Sequence, residues 1–508
     1  MTVNPLFTDL YQFTMASAYL SAGKANSIAT FELFFRRCPF QGEYAIAAGY
    51  DLLQEILHQF KFSKDDIDYL KSLPIFQNAD PLFFKTLLDL DLSDVEILAI
   101  PEGSLCFPRV PILQVKGPIF KTQLLESALL NAINFATLVA TYARRLRMVA
   151  GDKGLIEFGL RRAQGPNGAM TASRSGYLGG FEGTSNVLAG KLLQIPVVGT
   201  MAHSFIQSFT ELHFSDETWN GHSISNLLKE VKAESETNLG ELAAFLVFAK
   251  TFPDHCILLV DTYDTLASGV PNAIRVFKIL KKLGYKPGGI RLDSGDLVYL
   301  SKSARRMFDD AGFKDIKIFA SNELDEIIIE TLQDQGAAID SYAVGTRLVT
   351  AATEPALGGV YKLVEIDGKP RMKISQQTEK LVIPGAKKAF RLYGSDNSML
   401  LDLLTLNETA PKPGEKISVF HPSDPFKNAF VTPSKIESLL QPIFKNGKWL
   451  DRRSLEEMRT QSLNDMKSLR PDISRRANPS PYKVSLTQDL KQLLDQLYKK
   501  ERPAPVLH

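Results

Sequence analysis

From Gly154 onward the chain repeats one local pattern: a short apolar run, a polar or glycine-bearing tip, then a helical stretch. The runs at 155–158, 177–181, 196–198, 256–260, 289–292, 316–320 and 342–344 are each read as a strand. Their tips are Arg161-Arg162, Glu182-Gly183-Thr184-Ser185-Asn186, Thr200 with His203, Asp261-Thr262, Asp293-Ser294-Gly295, Ser321-Asn322 and Gly345-Thr346. The wide gap between His203 and Asp261 holds two helical stretches, 223–232 and 239–250. Successive βα units of this kind build a parallel sheet, either closed as a barrel or open and doubly wound. In both, polar residues at the carboxyl ends of the strands form the expected ligand site. No G-x-G-x-x-G follows the first run, so the barrel is the preferred reading.

The flanks differ. Residues 1–125 mix helix and strand: Thr8 or Asp9 caps a helix to about Ala22, 27–35 reads as a strand, 50–61 as an amphipathic helix, and 95–100 and 112–116 as further strands. After Thr353 the pattern returns to strands, with 360–366 and 371–374 flanking Asp367-Gly368, a strong hairpin signal. Segments 389–393 and 416–420 continue it, and 455–469 and 486–500 read as polar amphipathic helices. Neither flank makes a complete core alone. The expected layout is 1–125 as the first part of an α/β sandwich domain, 126–353 as the barrel, 354–424 as a β-rich return segment packing with the N-terminal part, and 425–508 as a helical extension.

Charge and cysteine content narrow the function classes. Lys plus Arg number 59 against 57 Asp plus Glu, a balance that argues against a nucleic-acid platform. Apolar runs fall far short of the ~20 residues that cross a bilayer, and the N-terminus lacks a signal-peptide layout. Three scattered cysteines suit a reducing compartment and make no metal motif. A cytoplasmic enzyme is expected.

Each tip has a plain reading and a chemical one. Arg161-Arg162 is ordinarily a solvated surface pair, but at a strand's carboxyl end guanidinium groups suit phosphate or carboxylate. Ser185-Asn186 opens a helix either as a capped turn or as an anion site. A lone histidine such as His203 is more often structural than catalytic. Arg291-Leu292-Asp293-Ser294-Gly295-Asp296 is a salt-bridged, helix-capping turn, or a carboxylate grip beside an acceptor for ribose hydroxyls. Gly345-Thr346 stands where barrels often hold phosphate. Gly190-Lys191 lacks the rest of a Walker A loop, and Asp261-Thr262-Tyr263-Asp264 lacks the adjacent acids of type I phosphoribosyltransferases.

Taken in order, Thr8-Asp9-Leu10-Tyr11, Phe158-Gly159-Leu160-Arg161-Arg162, Phe181 to Asn186, Ala202-His203-Ser204, Leu259 to Thr265, Arg291 to Asp296 and Gly358-Gly359-Val360-Tyr361-Lys362 resemble the nicotinate phosphoribosyltransferase family. The resemblance implies a type II phosphoribosyltransferase: an irregular α/β barrel with an open-faced α/β sandwich domain built from both flanks. It implies conversion of nicotinate and 5-phosphoribosyl 1-diphosphate to nicotinate mononucleotide and diphosphate, coupled to ATP hydrolysis in NAD biosynthesis. His203 is then the residue transiently phosphorylated, and Tyr11 and Phe158 sandwich the pyridine ring, with Tyr11 supplied by the other subunit of a homodimer. Thr200 and Arg291 face the nicotinate, Arg161 lies near base and phosphates, Asp293 holds the ribose hydroxyls, and Gly345 and Thr346 the 5′-phosphate. Mg²⁺ arrives with the diphosphate or ATP rather than in a protein cage. The nearest rival is nicotinamide phosphoribosyltransferase, in which an aspartate takes the place of Ser185; an inactive nucleotide-binding paralogue is the other alternative.

Overall fold

A computed structural model describes residues 4–211, 214, 217–232, 235–374, 382–406 and 410–501. The chain divides into two compact units, Ala143–Ala352 and the pair Met1–Tyr142 with Thr353–His508. The first division falls inside the long helix Glu126–Ala150 rather than ahead of it.

Unit Ala143–Ala352 is built on six strands: β1 (Gly154–Glu157), β2 (Gly183–Thr184), β3 (Ile257–Leu259), β4 (Gly289–Leu292), β5 (Lys317–Ala320) and β6 (Ser341–Val344). They run parallel in the order β3-β4-β5-β6-β1-β2. A single parallel bridge from Thr184 to Val197 extends the β2 edge. This is the irregular α/β barrel expected. Leu258, Ile290, Ile318 and Val344 are fully buried, which is why these strands read as continuous apolar runs rather than alternating ones.

Two runs read as strands are not. Segment 177–181 is the end of the helix Gly165–Gly179 and the turn after it, where Gly180 has φ 121°. Its buried Ala169, Ala172, Ser173 and Gly176 fall at helical spacing, a face of small residues that the apolar 177–181 masks. Segment 196–198 contributes only the Val197 bridge.

The other unit holds two larger sheets. In the first, Val360–Ile366 pairs antiparallel with Ile28–Phe34, which pairs with Leu113–Pro118, which pairs with Glu96–Ala99. The return segment thus pairs into the N-terminal sheet. Asp367 and Gly368 form the hairpin with φ 47° and 71°, the left-handed pair that a two-residue primed turn requires. Segment 371–374 is irregular rather than a strand. The second sheet pairs Lys387–Tyr393 with Met399–Leu406.

Residues 425–508, expected as a helical extension, carry the helices Leu455–Ser468 and Gln488–Glu501 but also five strands. Gln441–Lys445 joins the first sheet beside Glu96–Ala99, and Val484–Leu486 lies parallel to Met399–Leu406 in the second. These strands are short, and Asn428–Val431 and Lys435–Ser438 are largely exposed, so no apolar alternation marks them in the sequence. Among the described residues no helix is long and apolar enough to cross a membrane.

Candidate active site

The strand tips of the barrel converge on a pocket of about 150 Å³ lined by Phe158, Arg161, Arg162, Arg291, Asp293, Ser321, Asn322, Glu323, Ala343, Gly345 and Thr346. Six of the expected site residues therefore meet: Phe158, Arg161, Arg291, Asp293, Gly345 and Thr346. They lie at the ends of three strands, β1, β4 and β6, with Ser321, Asn322 and Glu323 from the β5 tip between them, because parallel pairing in register brings consecutive tips to one edge.

Phe158 follows β1 and is anchored from both sides. Its N–H donates to the Val344 carbonyl at 2.9 Å. Behind it, the Glu157 side chain is buried and accepts from Ser173 Oγ at 2.9 Å, and also from Thr184 Oγ1 and the Gly159 N–H. Gly159 is required for space: a Cβ there meets Val349 Cγ1 at 2.2 Å. The Glu157 network holds the Phe158–Arg162 tip in place, and it was illegible in the sequence, where Glu157 is a single charged residue inside the otherwise apolar run 155–158.

Arg291 is the centre of a second network. Its guanidinium carbon stands 5.4 Å from the Phe158 ring centroid, a cation–π distance. Its Nε donates to Ser321 Oγ at 2.8 Å and its Nη2 to Asp293 Oδ1 at 2.9 Å, while Ser321 Oγ donates to the same carboxylate oxygen. Burial pushes the Asp293 carboxyl up, but the Ser321 hydrogen bond, Arg291 and His203 hold it below the usual carboxylate range. Asp296 caps the helix Leu297–Asp310 through the N–H groups of Val298 and Tyr299. The salt-bridged capping turn and the cationic grip thus coexist in one segment.

His203 begins the short helix His203–Gln207 and lies outside the pocket lining. Its Nδ1 is 3.0 Å from Thr262 Oγ1, and its Nε2 is 3.7 Å from Asp293 Oδ2 and 4.0 Å from Asp261 Oδ1. Asp261 is the residue that ties the tips together. Its Oδ2 accepts from the Asp293 N–H at 2.9 Å and from Ser294 Oγ at 2.6 Å. Its Oδ1 is buried with no hydrogen-bond partner among the described residues. Position at a strand tip was the signal that pointed to Asp261, Thr262 and Ser321, although local chemistry assigned them nothing.

The remaining candidates, Ser185, Thr200 and Tyr11, are not in this lining. Ser185 is half-buried, and its N–H donates to the Glu157 carbonyl at 2.8 Å. Asn186 caps the helix Val187–Leu193 through Ala189 N–H, so this tip is a capped βα turn. Thr200 Oγ1 lies 3.4 Å from the Met201 carbonyl oxygen, to which it donates. Thr346 Oγ1 donates to Glu323 Oε1 at 3.3 Å. Tyr11 belongs to the other unit, on the helix Leu10–Ser21, where it is 47 % exposed. Of Thr8 and Asp9, the two expected caps, Asp9 takes the N-cap position but makes no side-chain capping bond and instead accepts from Ser127 Oγ at 2.6 Å. Among the described residues no group of three His, Cys, Asp or Glu side chains is arranged to hold a metal ion.

Comparison with known proteins bears on this site. Residues 154–404 match the profile described as the nicotinate phosphoribosyltransferase (NAPRTase) family, and 6–134 and 386–494 match its N-terminal and C-terminal domains. The nicotinate phosphoribosyltransferase of Dictyostelium discoideum is 44% identical over 98% of this chain and 88% of its own. That of Homo sapiens is 41% identical over 98% and 97%. A crystal structure of human nicotinic acid phosphoribosyltransferase superposes with a TM-score of 0.85 at 39% identity, covering 96% of this chain and 99% of that one. A nicotinate-nucleotide pyrophosphorylase from Pyrococcus furiosus shares the fold, with a TM-score of 0.63 at 22% identity over 91% of this chain and 94% of its own.

Proposed function

The chain belongs to the nicotinate phosphoribosyltransferase family, and from that premise we propose that it joins nicotinate to 5-phosphoribosyl 1-diphosphate, releasing diphosphate and hydrolysing ATP to ADP and phosphate. The observation that carries the reading is Arg291 set over the Phe158 ring in an arginine-lined pocket. A pyridine carboxylate needs an aromatic face and a cation together. Two nitrogens of Arg291 are engaged by Ser321 and Asp293, which fixes the plane that the guanidinium presents.

Departure of diphosphate leaves cationic character at the ribose C1, and the pyridine nitrogen attacks in line from about 3 to 3.5 Å. That nitrogen carries no proton, so no general base is needed. This is consistent with a site rich in Arg, Thr and Gly. Asp293, kept ionised by Ser321 and Arg291, accepts from ribose hydroxyls, and Arg161 neutralises the leaving group. Gly345 and Thr346 receive the 5′-phosphate, for which Thr346 must give up its bond to Glu323. Mg²⁺ that enters with substrate phosphates needs only one or two carboxylates from the protein. The Asp293 and Asp261 side chains fit that donor set, since Asp261 Oδ1 is buried and has no hydrogen-bond partner among the described residues. When bound, the ion supplies neutralisation of the leaving diphosphate.

His203 accepts the phosphoryl group of ATP, with Thr262 and the two aspartates orienting the ring. Ser185 places no carboxylate against the substrate's own, which favours nicotinate over nicotinamide. The active unit is a cytoplasmic homodimer in which Tyr11 closes the partner's ring site. One assay tests the whole reading: nicotinate mononucleotide formation with and without ATP, with nicotinamide in parallel. Nicotinate turnover stimulated by ATP is expected. Preferential use of nicotinamide, or no turnover of either, overturns it.

A further inference from the structure

The opposite end of the barrel carries a second cavity, of about 640 Å³, at the amino-terminal ends of the strands. Lys153 precedes β1, Lys286 precedes β4, Lys314 precedes β5 and Lys317 begins it, and Arg305 comes from the helix Leu297–Asp310; all five line this cavity. Against them stand two lining carboxylates, Asp315 and Asp340, and Asp309, which pairs with Arg305 Nε at 2.9 Å from outside the lining, so the cavity keeps a net excess of two positive charges, carried by its lysines.

The cations fall into two groups. Arg305 and Lys153 build the floor. Arg305 Nη1 donates to the Ile316 carbonyl at 2.7 Å and Nη2 to the Phe313 carbonyl, clamping the turn that presents Lys314 and Lys317. Lys153 donates to the Ile339 carbonyl beside Asp340. Lys286 and Lys314 are exposed and make no ion pair among the described residues. Lys317 meets Asp340 at 3.2 Å in a solvated pair, with side chains 61 % and 37 % exposed, and such a pair is weak and readily exchanged. Like charges gathered from separate connections repel one another, and a clamped floor removes part of the ordering cost of binding a counter-charge.

We propose that this cavity is a binding site for a small molecule bearing linked phosphates, separate from the catalytic pocket. The anion bridges Lys286 and Lys314 and draws Lys317 from Asp340. Free diphosphate and a nucleoside triphosphate share this chemistry, and the adenosine moiety tells them apart.

The catalytic pocket is also expected to take phosphates, so the test counts sites. Calorimetric titration with inorganic diphosphate, and separately with adenosine 5′-(β,γ-imido)triphosphate, is compared between the wild-type chain and Lys286→Ala/Lys314→Ala, with hydrogen exchange followed at 284–290 and 312–318. Two equivalents per chain are expected for the wild type and one for the double variant, which retains basal turnover. Protection of 312–318 on ligand addition is lost with the second equivalent. The milder Lys314→Gln weakens the second site at least tenfold and covers the case in which the double variant folds poorly. Tighter binding of the imido triphosphate than of diphosphate at this site identifies a nucleotide; the reverse identifies diphosphate itself. A single equivalent in the wild type, or protection of 312–318 that survives in both variants, overturns the proposal.

Discussion

The Nδ1 of His203 lies 3.0 Å from the Thr262 hydroxyl, while its Nε2 faces Asp293 at 3.7 Å. The ring is therefore oriented by one residue of the β3 tip and linked to the strand-tip pocket through one residue of the β4 tip. This geometry couples the proposed phosphoryl acceptor to Asp293, and through Asp293 to Arg291. Replacing His203 by Ala is expected to abolish ATP hydrolysis and ATP stimulation while slow ATP-independent transfer persists, since no other group at the site carries a labile phosphoryl so readily. Acid-labile phosphate retained by the variant after incubation with ATP would falsify the assignment.

Ser185→Asp is expected to lower the kcat/KM ratio of nicotinate to nicotinamide by at least about tenfold, because like charges brought together in a desolvated site cost several kcal/mol. Competition between the two substrates measures the ratio directly. An unchanged ratio shows that Ser185 does not face the ring substituent.

Gly159→Ala places a methyl group 2.2 Å from Val349 Cγ1 and 3.0 Å from the Gly345 carbonyl oxygen. Overpacking of this kind costs about 1–3 kcal/mol and displaces Phe158, so both the melting temperature and the affinity for nicotinate should fall. Adding Val349→Ala relieves the larger clash and restores part of each. A Gly159→Ala chain that melts with the parent contradicts the tight packing.

Asp293 is held below the usual carboxylate range even though burial opposes it. A group depressed in the folded state contributes stability above its unfolded pKa, near 3.9 for Asp, and that contribution is lost as pH falls through the folded value. The unfolding free energy of the wild type should therefore exceed that of Asp293→Asn by the most near neutrality, with the gap closing below about pH 4. Urea melts at pH 7, 5 and 3.5 provide the comparison. A gap that widens in acid reverses the sign and rejects the account.

Tyr11 is half exposed and belongs to a different unit from the residues that line the strand-tip pocket, and the proposed homodimer uses it in trans. Tyr11→Ala and His203→Ala are each expected to lose ATP-coupled turnover. A mixed dimer then has one site with both lesions and one with neither. Random pairing makes half the dimers mixed, so about a quarter of all sites should recover. No recovery despite demonstrated subunit exchange places Tyr11 in its own subunit's site.

The barrel was legible because its strands are buried on both faces and end in polar tips; Ile257–Leu259 and Ser341–Val344 state this in three and four residues. The Asp367-Gly368 hairpin was equally plain, since its backbone requirement is local. Residue type at the tips suggested a chemistry, arginines for anions and an aspartate for hydroxyls, that remains part of the proposal. Only the tertiary structure decided which tips meet. Six expected residues share one pocket, while His203 joins them through Asp293, and Ser185 and Thr200 lie outside its lining, the Thr200 hydroxyl bonded to a backbone carbonyl. It also revealed Glu157 and Asp261 as the buried carboxylates that hold the tips, and it wove 441–445 and 484–486 into two sheets. The physical reason is range. Burial pattern and turn preference are written in neighbouring residues, whereas a carboxylate's partners and an exposed strand's place in a sheet depend on residues that only folding brings alongside.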